Sequence, residues 1–220
     1  MTHAEVLAAL PSIARLRELT RTLAVLDAVL SPDWELRYYS FDPAWAEDQE
    51  MASMRNGSGD DWFCWFGDPG AAILGFDHES PMSPYAVDPK RTWPGVIKGL
   101  PSAFVRPVLR EPAFKGEDVT FLFWRESHDI GWNSGPVDLP RDGDDLSGAG
   151  DHLGLVLADD PGAYVVFARD YYEVELPLGV VAAAWDTSPL TSAVVSALNS
   201  SADVNEVLAE VEALGFPVAR

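Results

Sequence analysis

The stretch "DWFCWFGDPGAAILGF", residues 61–76, holds two short apolar runs, "DWFCWF" and "GAAILGF", each with the length and composition of a β-strand. The acidic, glycine-rich "NGSGDD" at 56–61 leads into them as a loop. Upstream, "WELRYYSF" at 34–41 has the alternation and aromatic content of a half-buried strand. Downstream, "DVTFLFWRES" at 118–127 and "HLGLVLAD" at 152–159 bring the expected sheet to about five strands.

Helical periodicity frames this sheet at both ends. From Pro11, apolar residues recur at Ile13, Leu16, Leu19, Leu23, Leu26 and Leu30, which places them on one helical face. Pro11 suits the first turn of that helix, where its missing N–H has no partner to lose, and "SPD" at 31–33 ends it. At the other end, Asp203 caps, Glu206 follows three residues on, and Val204, Val207, Leu208, Val211 and Leu214 form an apolar face closed by Gly215. Between them, Asp160 and Pro161 open a further helix with Tyr164, Phe167, Ala168 and Tyr171 on one side, although "YVVF" also suits a strand.

Prolines at 94, 101, 107 and 112 confine any helix in 94–114 to short pieces, so that stretch is expected to cover the sheet. The polar "PVDLPRDGDDLSGAGD" at 136–151 is expected to be a mobile loop. It fails the calcium-loop spacing, because Leu146 and Ser147 stand where a ligand and a glycine are needed. The order of elements predicts one α+β domain over residues 1–220, with a mostly antiparallel sheet flanked by N- and C-terminal helices.

Composition agrees with a packed domain, since 47% of residues are hydrophobic and eight are tryptophan. Trp34, Trp62, Trp65 and Trp124 sit in strand-like contexts and most are expected in the core. The one cysteine, Cys64, lies between aromatic neighbours, which predicts a buried, inert thiol and no disulfide. No basic segment followed by an apolar run and a cleavage site opens the sequence, and no run reaches the roughly 18–20 apolar residues of a membrane helix. A cytoplasmic protein that needs no membrane and no cofactor is the expectation.

Acidic residues exceed basic ones by 35 to 15, giving a net charge of −20. Residues 126–220 hold 17 Asp and Glu against Arg141, Arg169 and Arg220, so 17 − 3 = 14 of those charges lie there. Such a field repels a nucleic-acid backbone and attracts a basic protein. Solubility alone also accounts for the excess. If a partner is recognised, Asp144, Asp145, Asp159 and Asp160 offer charge, while Trp132, Tyr171 and Tyr172 are aromatics set among acids that would serve as anchors.

Catalytic signals are sparse. His78, His128 and His152 each stand beside acids at the expected end of a strand, so a convergence with Asp77, Glu79 or Asp129 would hold zinc or another divalent ion. Compact pairs such as H-x-H or H-E-x-x-H are missing. A serine hydrolase built on Ser80 and His78 lacks the G-x-S-x-G elbow, and "NGSG" at 56–59 lacks the Lys-Ser/Thr ending of a phosphate loop. The simpler expectation is that Asp77 to Ser80 cap a strand and fix a turn through side-chain to backbone hydrogen bonds.

The N-terminal helix, "NG" at 56–57 leading into aromatic strands, "GFDHES" at 75–80, and the tail "PLTSAVVSALN" with "VLAEVEALGFPV" resemble, in order, the SUKH superfamily of bacterial toxin-immunity proteins. The resemblance implies a non-enzymatic cytoplasmic binder whose acidic face meets a toxin. It transfers no functional residue, because none of these stretches is a diagnostic motif.

Overall fold

The computed structural model describes residues 1–139 and 145–219. Helices α1 (His3–Ala9) and α2 (Ile13–Leu30) lead into strands β1 (Tyr39–Ala46), β2 (Gln49–Arg55), β3 (Asp61–Gly67) and β4 (Gly70–Phe76). After the short helix α3 (Ser102–Phe104) come β5 (Phe121–Glu126) and β6 (Asn133–Ser134). Six helices close the described chain: α4 (Ala149–His152), α5 (Gly154–Ala158), α6 (Pro161–Tyr172), α7 (Leu178–Trp185), α8 (Ser192–Leu198) and α9 (Val204–Ala213). The strands form one open antiparallel sheet in the order β1-β2-β3-β4-β5-β6, so the fold is a single α+β domain.

β3 reads as an unbroken apolar run because it is covered on both faces. Trp62, Cys64 and Phe66 point into a core shared with α2 and the C-terminal helices, whereas Phe63 and Trp65 point into a second core. Met82, Val96, Phe104, Val108 and Phe114 cover that second face, so the proline-punctuated segment does form the expected lid of short turns. Cys64 is fully buried, and burial pushes its thiol well up.

Several local expectations are corrected. Residues 34–41 are not one strand: Asp33 caps a 3-10 turn over Trp34–Leu36, and β1 starts only at Tyr39. Trp34 is consequently half exposed, in contrast to buried Trp62, Trp65 and Trp124. Residues 152–159 are helical, because Ala149, Leu153 and Val156 recur at helical spacing and all three are buried. Pro11 lies between α1 and α2, and Ser12 rather than Pro11 begins the helix by accepting the Arg15 N–H. The unpredicted β2 was hidden by polar ends, with only Ala52 and Met54 facing the first core.

Of the 136–151 segment, residues 140–144 lie outside the described residues. On either side of them Val137 and Leu139 pack against the second core, while Ser147 and Ala149 are fully buried.

The β3–β4 connection is as short as Asp68-Pro69, with Gly67 paired to Gly70. Gly70 has φ +143°, and a Cβ there would come within 2.0 Å of the Arg125 carbonyl oxygen on β5. Gly70→Ala is therefore expected to destabilise by more than about 1 kcal/mol, read as a lower urea midpoint. An unchanged midpoint would contradict this close approach.

Candidate functional site

A cluster of titratable side chains lies where the β2–β3 turn, the exit of β4 and α4 meet. Asn56 builds the turn by accepting the Ser58 and Asp60 N–H groups on its side-chain oxygen. Asp60, almost buried, accepts the His78 backbone N–H at 2.8 Å and bonds the His78 ring Nδ1 at 2.6 Å. Burial pushes the Asp60 carboxyl up, but these contacts with His78, together with the Asn56 amide at 2.5 Å, hold it below its ordinary value. The same hydrogen bond to Asp60 raises His78.

Asp77 accepts the Glu79 and Ser80 N–H groups on Oδ1, at 2.9 and 3.0 Å. The Ser80 hydroxyl is buried; it donates to the Leu146 carbonyl and accepts the Met82 N–H. These side chains make a turn, and the Ser80 hydroxyl is already committed to it. His152 reaches toward the same place, its Nε2 lying 3.6 Å from Asp77 Oδ2 and 4.0 Å from Asp60 Oδ2.

The three histidines do not converge. His78 and His152 share Asp60, whereas His128 follows β5 beside Glu126 and Asp129. β4 pairs its Gly70 end with Glu126 and its Gly75 end with Phe121, so His128 and His78 lie at opposite ends of a strand about 20 Å long.

The residues expected as partner anchors are scattered and mostly occupied. Trp132 is buried in the first core, where its indole N–H donates to the Pro11 carbonyl, so it cannot serve as an exposed anchor. Asp144 lies outside the described residues. Asp145 accepts the Ser147 and Gly150 N–H groups, and Asp160 caps α6 through Gly162. Asp159 grips Arg15 with both oxygens and accepts the Trp185 indole; the Arg15 guanidinium holds its carboxyl below the usual range. Tyr172 is half-buried and donates to Asp27. Tyr171 alone of the three aromatics is exposed, stacked on Phe167 with centroids 5.4 Å apart.

The sequence reading missed two further exposed apolar side chains, Val166 and Leu178, both about half exposed, and between them in the chain Asp170, Glu173 and Glu175 are exposed. Helical phase was the available signal: with Tyr164 and Ala168 turned inward, Val166 and Asp170 turn outward.

A separate groove of about 480 Å³ opens on the second face of the sheet over β1–β3, lined by Trp34, Trp45, Ser53, Arg55, Phe63 and Lys115 among others. The Arg55 guanidinium lies 4.6 Å over the Trp34 ring, and Lys115 pairs with Asp61 at 3.0 Å. Among the described residues no helix is long and apolar enough to cross a membrane. No family model, no curated protein and no solved structure matches this chain.

Proposed function

We propose that this chain is a non-enzymatic, immunity-type binding protein of the bacterial cytoplasm, whose acidic helical layer recognises a basic protein such as a toxin. The observation that carries the reading is the segregation of charge between the two layers that sandwich the sheet. Residues 145–219, whose helices pack on the first face, contain 12 Asp and Glu against Arg169 alone. Residues 77–120, which link β4 to β5 and cover the second face, balance six Lys and Arg against six Asp and Glu. Acidity that served only solubility would have no reason to separate in this way.

The exposed Tyr171, with Val166 and Leu178 also exposed in the same acidic stretch of chain, supplies apolar anchors among acids, which is how a binder of a basic surface obtains both affinity and steering. The similarity in feature order to the SUKH superfamily points the same way. The commitment of the Ser80 hydroxyl to the Leu146 carbonyl weighs against a serine hydrolase.

The test is capture from the native host with wild type and with a variant carrying Glu175→Lys, Asp186→Lys and Glu206→Lys. These three acids are exposed, and the change moves the net charge from −20 to −14. Basic proteins should be retained by wild type at low salt and lost at high salt or from the variant. Capture that ignores both changes, or a captured set no more basic than the lysate, would overturn the proposal.

A further inference from the structure

We propose that Asp60, Asp77 and His152 form a binding site for one divalent transition ion of the zinc class. Three donor groups lie close together: His152 Nε2 lies 3.6 Å from Asp77 Oδ2 and 4.0 Å from Asp60 Oδ2, and one ligand atom from each residue falls within 4.8 Å of the others. Zinc bonds of about 2.1 Å in a tetrahedron set ligand atoms about 3.4 Å apart, so shifts of the order of an ångström close the site.

The remaining atoms of each ligand are held from behind, as second contacts hold metal ligands. Asp77 Oδ1 is fixed by two backbone N–H groups, and Gly148 packs so closely that a Cβ there would sit 2.2 Å from Asp77 Oδ2. Asp60 Oδ1 is fixed by the His78 backbone and ring. Asn56 donates to Asp60 Oδ2 at 2.5 Å, which leaves that oxygen a second lone pair. The backbone of His152 is anchored by the Trp62 indole on its carbonyl at 2.9 Å, while among the described residues its Nε2 has no hydrogen-bond partner.

Charge and donor type select the ion. The Asp60 and Asp77 side chains are 8% and 20% exposed, so two carboxylates are brought together with little solvent to screen them. A doubly charged ion neutralises the pair, and one nitrogen with two oxygens suits zinc rather than calcium, which takes six to eight oxygens. Three protein ligands leave the fourth position for water. The ion would tie the 56–60 turn and the β4 exit to α4, three segments far apart in sequence.

The Glu126, His128 and Asp129 group is the internal control, because His128 is 76% exposed and Asp129 Oδ2 already accepts the Glu126 N–H and the Asn133 amide. The full chain, stripped with chelator, is titrated with zinc chloride by calorimetry and melted with and without it. One zinc per chain and a raised melting temperature are expected, with no comparable effect from calcium chloride. His152→Gln and Asp77→Asn should each weaken binding about tenfold or more, while His128→Gln should not. Because Asp77 also fixes a turn, histidine NMR of the wild type supplies a second reading: zinc should shift the His152 ring and leave His3 and His128 in place. Absence of stoichiometric binding, equal binding of calcium, binding that survives His152→Gln, or a shift at His128 instead of His152 would each overturn the site.

Discussion

Asp27→Ala is expected to lower the stability of the folded chain by about 3–5 kcal/mol, among the largest losses any single substitution here should cause. Asp27 is a fully buried carboxylate in α2. Its Oδ2 accepts the N–H groups of Tyr38 and Tyr39 and the Tyr172 hydroxyl, and its Oδ1 accepts the Tyr164 hydroxyl. One side chain thus joins α2 to the start of β1 and to α6. Stranding the Tyr39 N–H and the Tyr164 and Tyr172 hydroxyls costs about 1–3 kcal/mol each, while the Tyr38 N–H keeps the Tyr172 hydroxyl as a second acceptor; the loss is offset in part because a carboxylate need no longer be kept out of water. Asp27→Asn keeps the shape but turns an N–H₂ toward other donors, so it should fall between alanine and wild type. Urea unfolding of the three proteins checks the order.

The same residue carries a pH signature. Burial outweighs the four donors and raises the Asp27 carboxyl from 3.8 to about 6. Below pH 3.8 it is protonated in both folded and unfolded chains. Between 3.8 and about 6 only the folded chain keeps the proton, so the contribution of Asp27 to stability falls with rising pH by about 3 kcal/mol and then levels. Other carboxylates, such as Asp159 beside Arg15, act in the opposite direction, so the difference between wild type and Asp27→Asn isolates the effect. That difference should shrink as pH rises from 4 to 6.5; a difference that grows would contradict the assignment.

The doubly covered strands were legible because a strand buried on both faces must be apolar throughout, as β3 is. The capped helices were legible for an equally local reason, Asp160 and Asp203 each bonding N–H groups of the first turn. "HLGLVLAD" misled because Leu153, Leu155 and Leu157 alternate as a strand would, and the helical spacing emerges only when Ala149, before the run, is counted with Leu153 and Val156. The late start of β1 was invisible because it is set by Asp27, a polar residue on an apolar helix whose partners lie 11, 12, 137 and 145 residues away in the chain.

The candidate sites follow the same division. That Asp77 and Ser80 fix a turn could be read locally, because their partners Glu79, Ser80 and Met82 are adjacent. The meeting of His152 with Asp60 and Asp77 could not, since it depends on where α4 docks. Trp132 was misassigned for a related reason: acidic neighbours in sequence do not show that its indole turns inward to Pro11.

If the acidic layer steers a basic partner, association should be fast at low ionic strength and slow steeply as salt is added, since such fields raise on-rates by about ten- to a thousandfold. The variant with Glu175→Lys, Asp186→Lys and Glu206→Lys should lose most of that enhancement, with its dissociation rate little changed. Tyr171→Ala should do the reverse, leaving association alone and speeding dissociation, because an exposed anchor acts after encounter. The most direct measurement is therefore the association rate constant of the captured partner with wild type and the triple variant across ionic strength. A steep negative slope for wild type that flattens in the variant is the predicted result; equal slopes, or a rate indifferent to salt, would contradict recognition through the acidic helical layer.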